Sequence, residues 1–190
     1  MGMDRCLKEL PRIARAAIAE EFGGQRLMDE TIGAITAACP ELAREQAAFV
    51  TLHKHGQLRG CIGSILPRRP LIEDVIHNAK AAAFNDPRFA PLRADELDDV
   101  DIEVSVLSVP APLPYADAAD LRRKIRPGVD GVIIRLDGRQ ATFLPSVWEQ
   151  LPDFDGFFSH LCRKAGLPGD CLNLHPDVFT YQAQKVSEGD

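Results

Sequence analysis

The sequence predicts an α+β fold with a mainly antiparallel sheet. Two observations lead there: hairpins outnumber strand–helix–strand crossovers, and the helical stretches each carry one apolar stripe. A length of 190 residues, with 45% hydrophobic and 26% charged residues, fits one globular domain spanning 1–190.

The elements follow in order. Leu10, Ile13, Ala14, Ala17 and Ile18 recur at helical spacing, so a first helix is expected at about 10–23, with Pro11 in its first turn and Gly23-Gly24 after it. A weaker helical stretch covers Thr31 to Ala38. A hairpin runs from Ala48 to His53, turns around Lys54-His55-Gly56-Gln57, and returns from Leu58 to Ile65. Leu71 to Phe84 is helical, with Ile72, Val75, Ile76, Ala79 and Ala83 as its stripe. It stops at Asn85-Asp86-Pro87, because proline disfavours helical geometry in the residue before it.

Ile102 to Val109 alternates as a strand, with Glu103, Ser105 and Leu107 on the face away from Ile102, Val104 and Val106. Pro110, Pro112 and Pro114 then open a loop. A second hairpin joins Val132–Leu136 to Arg139–Leu144 through Asp137-Gly138, a pair suited to a type I′ turn. Helices near Pro145 and from Asp155 to Ala165, and one final strand from Val178 to Val186, complete the chain. Leu66-Pro67 through Lys80-Ala81 and Leu144-Pro145 through Lys164-Ala165 both follow a hairpin, which hints at a duplicated unit.

Composition narrows the function. With 28 acids against 22 bases the net charge is −6, opposite to what a coat for nucleic-acid phosphates shows. The basic runs Arg68-Arg69 and Arg122-Arg123-Lys124 are balanced by acidic runs elsewhere and read as solvated faces. No stretch approaches the ~18 apolar residues of a membrane span, and no signal-peptide pattern opens the chain. Five widely spaced cysteines, with no CxxC pair, are expected to be reduced thiols in a cytoplasmic protein, with Cys6, Cys39 and Cys162 packing in helices and Cys171 in a loop. They form no local ligand set for zinc or an iron–sulfur cluster, so neither metal nor cofactor is expected. His53 and His55 share a strand face, but the adjoining turn favours solvated polar residues there.

Leu58-Arg59-Gly60-Cys61-Ile62-Gly63 is the most informative stretch. Gly60 and Gly63 leave the thiol open to approach, and in an extended chain Arg59 and Cys61 share a face. A guanidinium near sulfur favours the thiolate, which is the nucleophilic form. A two-residue His55-Gly56 turn would set Cys61 opposite Val50 and Arg59 opposite Leu52. The alternative is that Cys61 is a small core hydrophobe and the glycines serve packing.

That stretch, preceded by Phe49-Val50-Thr51-Leu52, resembles the hallmark of the AMME-syndrome candidate-region domain family, known in prokaryotes as AmmeMemoRadiSam system protein A. Three further blocks fit in order: Ala82 to Leu92, Ile102 to Ser108, and Phe143-Leu144-Pro145 followed by Lys164-Ala165-Gly166-Leu167. The resemblance implies a duplicated strand–helix unit around one barrel-like sheet, with helices packed outside. It also implies association with a radical-SAM protein and a Memo-like protein. It supplies no reaction. The family usually has an aromatic residue where this chain has Cys171.

The expected site therefore centres on Cys61, Arg59 and Glu103. Glu103 lies mid-strand, where a carboxylate needs a partner such as Arg59 or Arg88, and it would orient Arg59 or accept a proton. The other reading leaves it facing water. Gly60, Gly63, Thr51 and Arg88 are expected to line the site for a substrate or partner, and Arg88 is suited to holding an anionic group or closing its own loop. No histidine is placed against Cys61 by spacing. Two functions follow: Cys61 accepts or carries a group within a radical-SAM/Memo-like system, whose radical chemistry belongs to the partner, or the Leu58–Gly63 strand docks a partner without catalysis.

Overall fold

A computed structural model describes residues 2–27 and 29–189. In chain order the elements are α1 (Gly2–Leu7), α2 (Leu10–Glu20), α3 (Asp29–Ala38), β1 (Ala48–Lys54), β2 (Gln57–Gly63), α4 (Leu71–Phe84), β3 (Val100–Leu107), β4 (Ala111–Pro112), α5 (Ala118–Lys124), β5 (Gly131–Leu136), β6 (Arg139–Phe143), α6 (Phe154–Lys164), β7 (Asp177–Tyr181) and β8 (Ala183–Ser187). The strands form two four-stranded sheets, ordered β2-β1-β3-β8 and β4-β7-β5-β6.

The α+β class and the antiparallel pairing hold. A single barrel-like sheet is not found among the described residues, because the stretch expected as one strand over 178–186 breaks at Gln182. Its halves, β7 and β8, belong to different sheets. The chain divides into two compact units, Met1–Leu107 with Gln184–Asp190, and Ser108–Ala183.

In the first unit, α2 buries Leu10, Ile13, Ala14, Ala17 and Ile18, the stripe the sequence shows. α4 buries Leu71, Ile72, Val75, Ala79, Ala82 and Ala83, and both helices share a core with Ala48, Val50, Leu52, Ile102, Val104 and Val106. Alternation along β1 and β3 then leaves Phe49, Thr51 and Glu103 on the opposite sheet face. Two buried polar side chains on α4 fix the start of β1. Asp74 accepts the Ala48 amide at 2.9 Å, and the Asn78 amide donates to the Ala48 carbonyl at 3.1 Å.

The second unit repeats the order of hairpin then helix. Its core gathers Val132, Ile134, Trp148, Phe157, Phe158 and Leu161, with Trp148 stacked on Phe157. Both hairpins turn on two residues at positive φ, His55-Gly56 at 52° and 76° and Asp137-Gly138 at 50° and 75°, as a type I′ turn requires. α1, the short strand β4 and α5, whose Asp117 caps it by accepting the Asp120 amide, fall in segments that lack a sequence signal strong enough to mark them.

The cysteines depart from expectation. Cys6 pairs with Cys39 and Cys162 with Cys171, at Cα–Cα distances of 5.7 and 5.8 Å. The first bond joins α1 to the end of α3, and the second joins α6 to the turn at Cys171–Leu174. Wide spacing in sequence hid pairs that the fold brings within bridging range. Cys171, expected in a loop, is instead buried and covalently linked. Cys61 stays outside both bonds.

Candidate functional site

A β-bulge sets the register around Cys61. Leu52 pairs with Gly60 but His53 pairs with Leu58, which leaves Arg59 as the extra residue of β2. The pairing expected from a regular hairpin therefore shifts by one, and Cys61 lies opposite Thr51 rather than Val50. Thr51 in turn lies opposite Glu103. Directly opposed residues share a face, so Cys61, Thr51 and Glu103 form one row across β2, β1 and β3.

Each polar atom of Cys61 has a partner. The Thr51 hydroxyl donates to Sγ at 3.2 Å, a bond that favours the ionised sulfur. The Cys61 amide donates to Asp86 Oδ2 at 2.9 Å, and Arg88 Nη2 donates to the Cys61 carbonyl at 3.3 Å. β2 is at the edge of its sheet, so these last two bonds use the side of the strand that faces away from β1.

Asp86 and Arg88 come from the turn after α4, where Pro87 holds the chain in an extended-to-turn path. Arg88 grips Asp86 through Nε at 3.0 Å and Nη2 at 2.8 Å, and its own amide donates to the same carboxylate at 3.1 Å. That grip, helped by the Cys61 amide, holds the Asp86 carboxyl far below the ordinary carboxylate range. Arg88 is raised in return, first by Asp86 and further by negative charge at Cys61.

Arg59 does not pair with Glu103. It forks onto Glu96, Nε to Oε1 at 3.3 Å and Nη2 to Oε2 at 3.0 Å, while Lys54 reaches Oε1 at 3.0 Å. These bonds, Arg59 first and Lys54 second, pull the Glu96 carboxyl down to about 2. Arg59 Nη1 is buried without a hydrogen-bond partner. The Phe89 ring lies beside both guanidinium groups, with centroid distances of 6.0 Å to Arg59 and 5.5 Å to Arg88. Glu103 instead faces Lys185 of β8 at 3.4 Å, two strands away from the thiol.

The two glycines serve close packing. A Cβ at Gly60 would lie 2.2 Å from the Ala82 carbonyl oxygen of α4, and one at Gly63 would lie 2.2 Å from the Phe49 ring. Phe49 and Gly63 are register partners, as are Tyr181 and Gly131 in the other sheet, so an aromatic ring covers a bare glycine in both. Leu58 is exposed at the start of β2.

Of the residues singled out by sequence, the fold joins Cys61, Thr51 and Arg88 by direct bonds and puts Glu103 in the same row. It gives Arg59 a separate partner. Asp86, Glu96 and Phe89 escape sequence reasoning. The one local hint is Asp86 two residues before Arg88, a spacing that lets a turn close on its own ion pair.

The sequence model of the AMMECR1 family matches residues 11–186. A protein of Methanothermobacter thermautotrophicus is 42% identical over 187 residues, covering 95% of this chain and 93% of its own length. Protein MJ0810 of Methanocaldococcus jannaschii is 35% identical over 182 residues, covering 93% of this chain and 87% of its own. The solved structure of uncharacterized protein PH0010 from Pyrococcus horikoshii superposes with a TM-score of 0.84 at 34% identity, covering 95% of this chain and 90% of that one.

Proposed function

The chain belongs to the AMMECR1 family, and we propose that it acts as an accessory or substrate protein of a radical-SAM/Memo-like system in which Cys61 accepts or carries a group. One observation carries this reading: Cys61 is outside the disulfides, and its amide, carbonyl and sulfur are each held by a named partner. A packing cysteine needs no donor aimed at its sulfur. The thiol enters as thiolate, having given its proton to solvent. Sulfur then forms one bond to the incoming group, whose leaving atom departs with the bonding pair. Radical chemistry, and the clusters it needs, belong to the partner. Glu103, paired with Lys185, keeps that end of the row neutral.

A docking role for Leu58–Gly63 is supported by exposed Leu58. Against it, Asp86 and Arg88 already occupy the outward amide and carbonyl of Cys61.

Site-resolved mass spectrometry under non-reducing conditions, on protein from its native host, tests the thiol reading. The expected result is an added mass at Cys61, or alkylation there faster than that of N-acetylcysteine at neutral pH. A Cys61 that is unmodified and alkylates no faster than N-acetylcysteine would overturn it.

A further inference from the structure

We infer that the Cys61 site selects a molecule bearing an oxyanion, a carboxylate or phosphate, next to the atom that meets the thiol. This rests on the reactive-thiol reading and adds the chemical class of what that thiol meets.

The argument starts from which hydrogen-bonding groups are already used. Both oxygens of Asp86 are engaged, by the Cys61 amide, the Arg88 amide and the Arg88 side chain. Both oxygens of Glu96 are engaged, by Lys54, Arg59 and the Arg93 amide. The acids are spent on holding the site together. The bases are not. Among the described residues no acceptor takes Arg88 Nη1, and Arg59 Nη1 is buried with none.

Lys54 and Arg59 share the single carboxylate of Glu96, so that group holds one positive charge in excess, in a chain whose net charge is −6. An excess of positive charge in an acidic protein attracts anions to that spot.

Geometry sharpens the charge argument. Arg88 keeps 55% of its side chain exposed, yet Asp86 fixes the plane of its guanidinium from one edge. The unused Nη1 edge is thus pre-oriented at a residue that also bonds Cys61, and a fixed planar fork suits a carboxylate or phosphate. Phe89 lies beside both guanidinium groups.

Two isosteric alkylating reagents separate the inference from its premise. Iodoacetate carries a carboxylate and iodoacetamide a neutral amide; with either, the thiolate sulfur bonds to carbon and iodide leaves. Rates at Cys61 are measured by mass spectrometry under non-reducing conditions and divided by those of N-acetylcysteinamide, a thiol with no charged group of its own. Because both reagents need the thiolate, the ratio of the two normalised rates cancels the thiolate fraction.

The expected ratio, iodoacetate over iodoacetamide, is about fivefold or more above that of N-acetylcysteinamide at low salt, as one nearby unpaired charge produces. It falls toward one in Arg88→Gln and with added sodium chloride. Inorganic phosphate, at matched ionic strength, should slow iodoacetate more than chloride does if the fork takes phosphate, and acetate should do so if it takes carboxylate. A wild-type ratio near one overturns the inference even if Arg88→Gln fails to fold. Slow reaction with both reagents overturns the thiol reading instead.

Discussion

The Cys61 amide donates to the carboxylate of Asp86, 25 residues further along the chain, at 2.9 Å. That one bond ties the edge strand of the sheet to the turn that follows α4, and the arginine two residues on completes the tie from the other side. Its side chain is 2% exposed, so Asp86 is a buried charge with its partners in place.

Removing the carboxylate should therefore be costly. Asp86→Ala leaves the Cys61 amide and the Arg88 guanidinium without their acceptor, and about 3 kcal/mol of stability is the expected loss. Urea unfolding monitored by circular dichroism measures it. A loss below 1 kcal/mol would mean that water replaces the carboxylate at no net cost.

Thr51→Val keeps the shape of the side chain and removes the donor to Sγ. Alkylation of Cys61 at neutral pH should slow by roughly two- to fivefold, with the pH midpoint of the reaction moved upward. Stability should change by less than about 1.5 kcal/mol, since one hydrogen bond is lost. An unchanged pH–rate profile would remove Thr51 from the chemistry.

Gly60→Ala places a methyl group against a backbone oxygen of α4, which cannot rotate away. The expected cost is about 2 kcal/mol or more, close to the upper range for overpacking. Gly33→Ala, where nothing lies within 4 Å and the glycine is inside α3, should instead stabilise by about 0.5–1 kcal/mol. Paired thermal melts of the two variants check the contrast.

Acid should reveal the carboxylates. Glu96 drops from its ordinary 4.5 to about 2 on folding, and Asp86 is lowered as well. A depressed folded value means stabilisation that is full above the unfolded value and fades as pH falls through the folded one. Stability should begin to fall below about pH 4.5 and continue falling to about pH 2, with Glu96→Gln flattening that limb. Urea midpoints taken across this range test it, and an unaltered slope in the variant would contradict the assignment.

Reduction should act through the two disulfides. Chain-entropy arguments give about 3 kcal/mol for the bond across 9 residues and about 4 kcal/mol for that across 33. Wild-type melting temperature should fall in dithiothreitol, and that of a variant lacking Cys6 and Cys162 should not. Equal melting with and without reductant would show that neither bond stabilises the fold.

Much of the secondary structure is legible because it depends on neighbours in sequence. α4 occupies Leu71–Phe84, its stripe and proline stop both local, and the Asp137-Gly138 hairpin is set by two residues. The site is legible in part. Arg59, Thr51 and Cys61 lie within one hairpin, but one bulged residue changed their register, and hairpin sequence alone does not report a bulge. Asp86 and Glu96 meet β2 across 25 and 37 residues, and no period or spacing encodes such a meeting. The disulfides and the division of the last strand at Gln182 were hidden for the same reason.

The outward amide and carbonyl of Cys61 bear on self-association as well as on chemistry. An unpaired strand edge is a template on which a second chain can lay its own backbone, and repetition of that step builds fibrils. By satisfying both groups with side chains from its own turn, the chain closes that template at the middle of β2. The Asp86–Arg88 pair thus removes one place for edge pairing, and its loss would be felt first in crowded or concentrated solution, where edges meet most often.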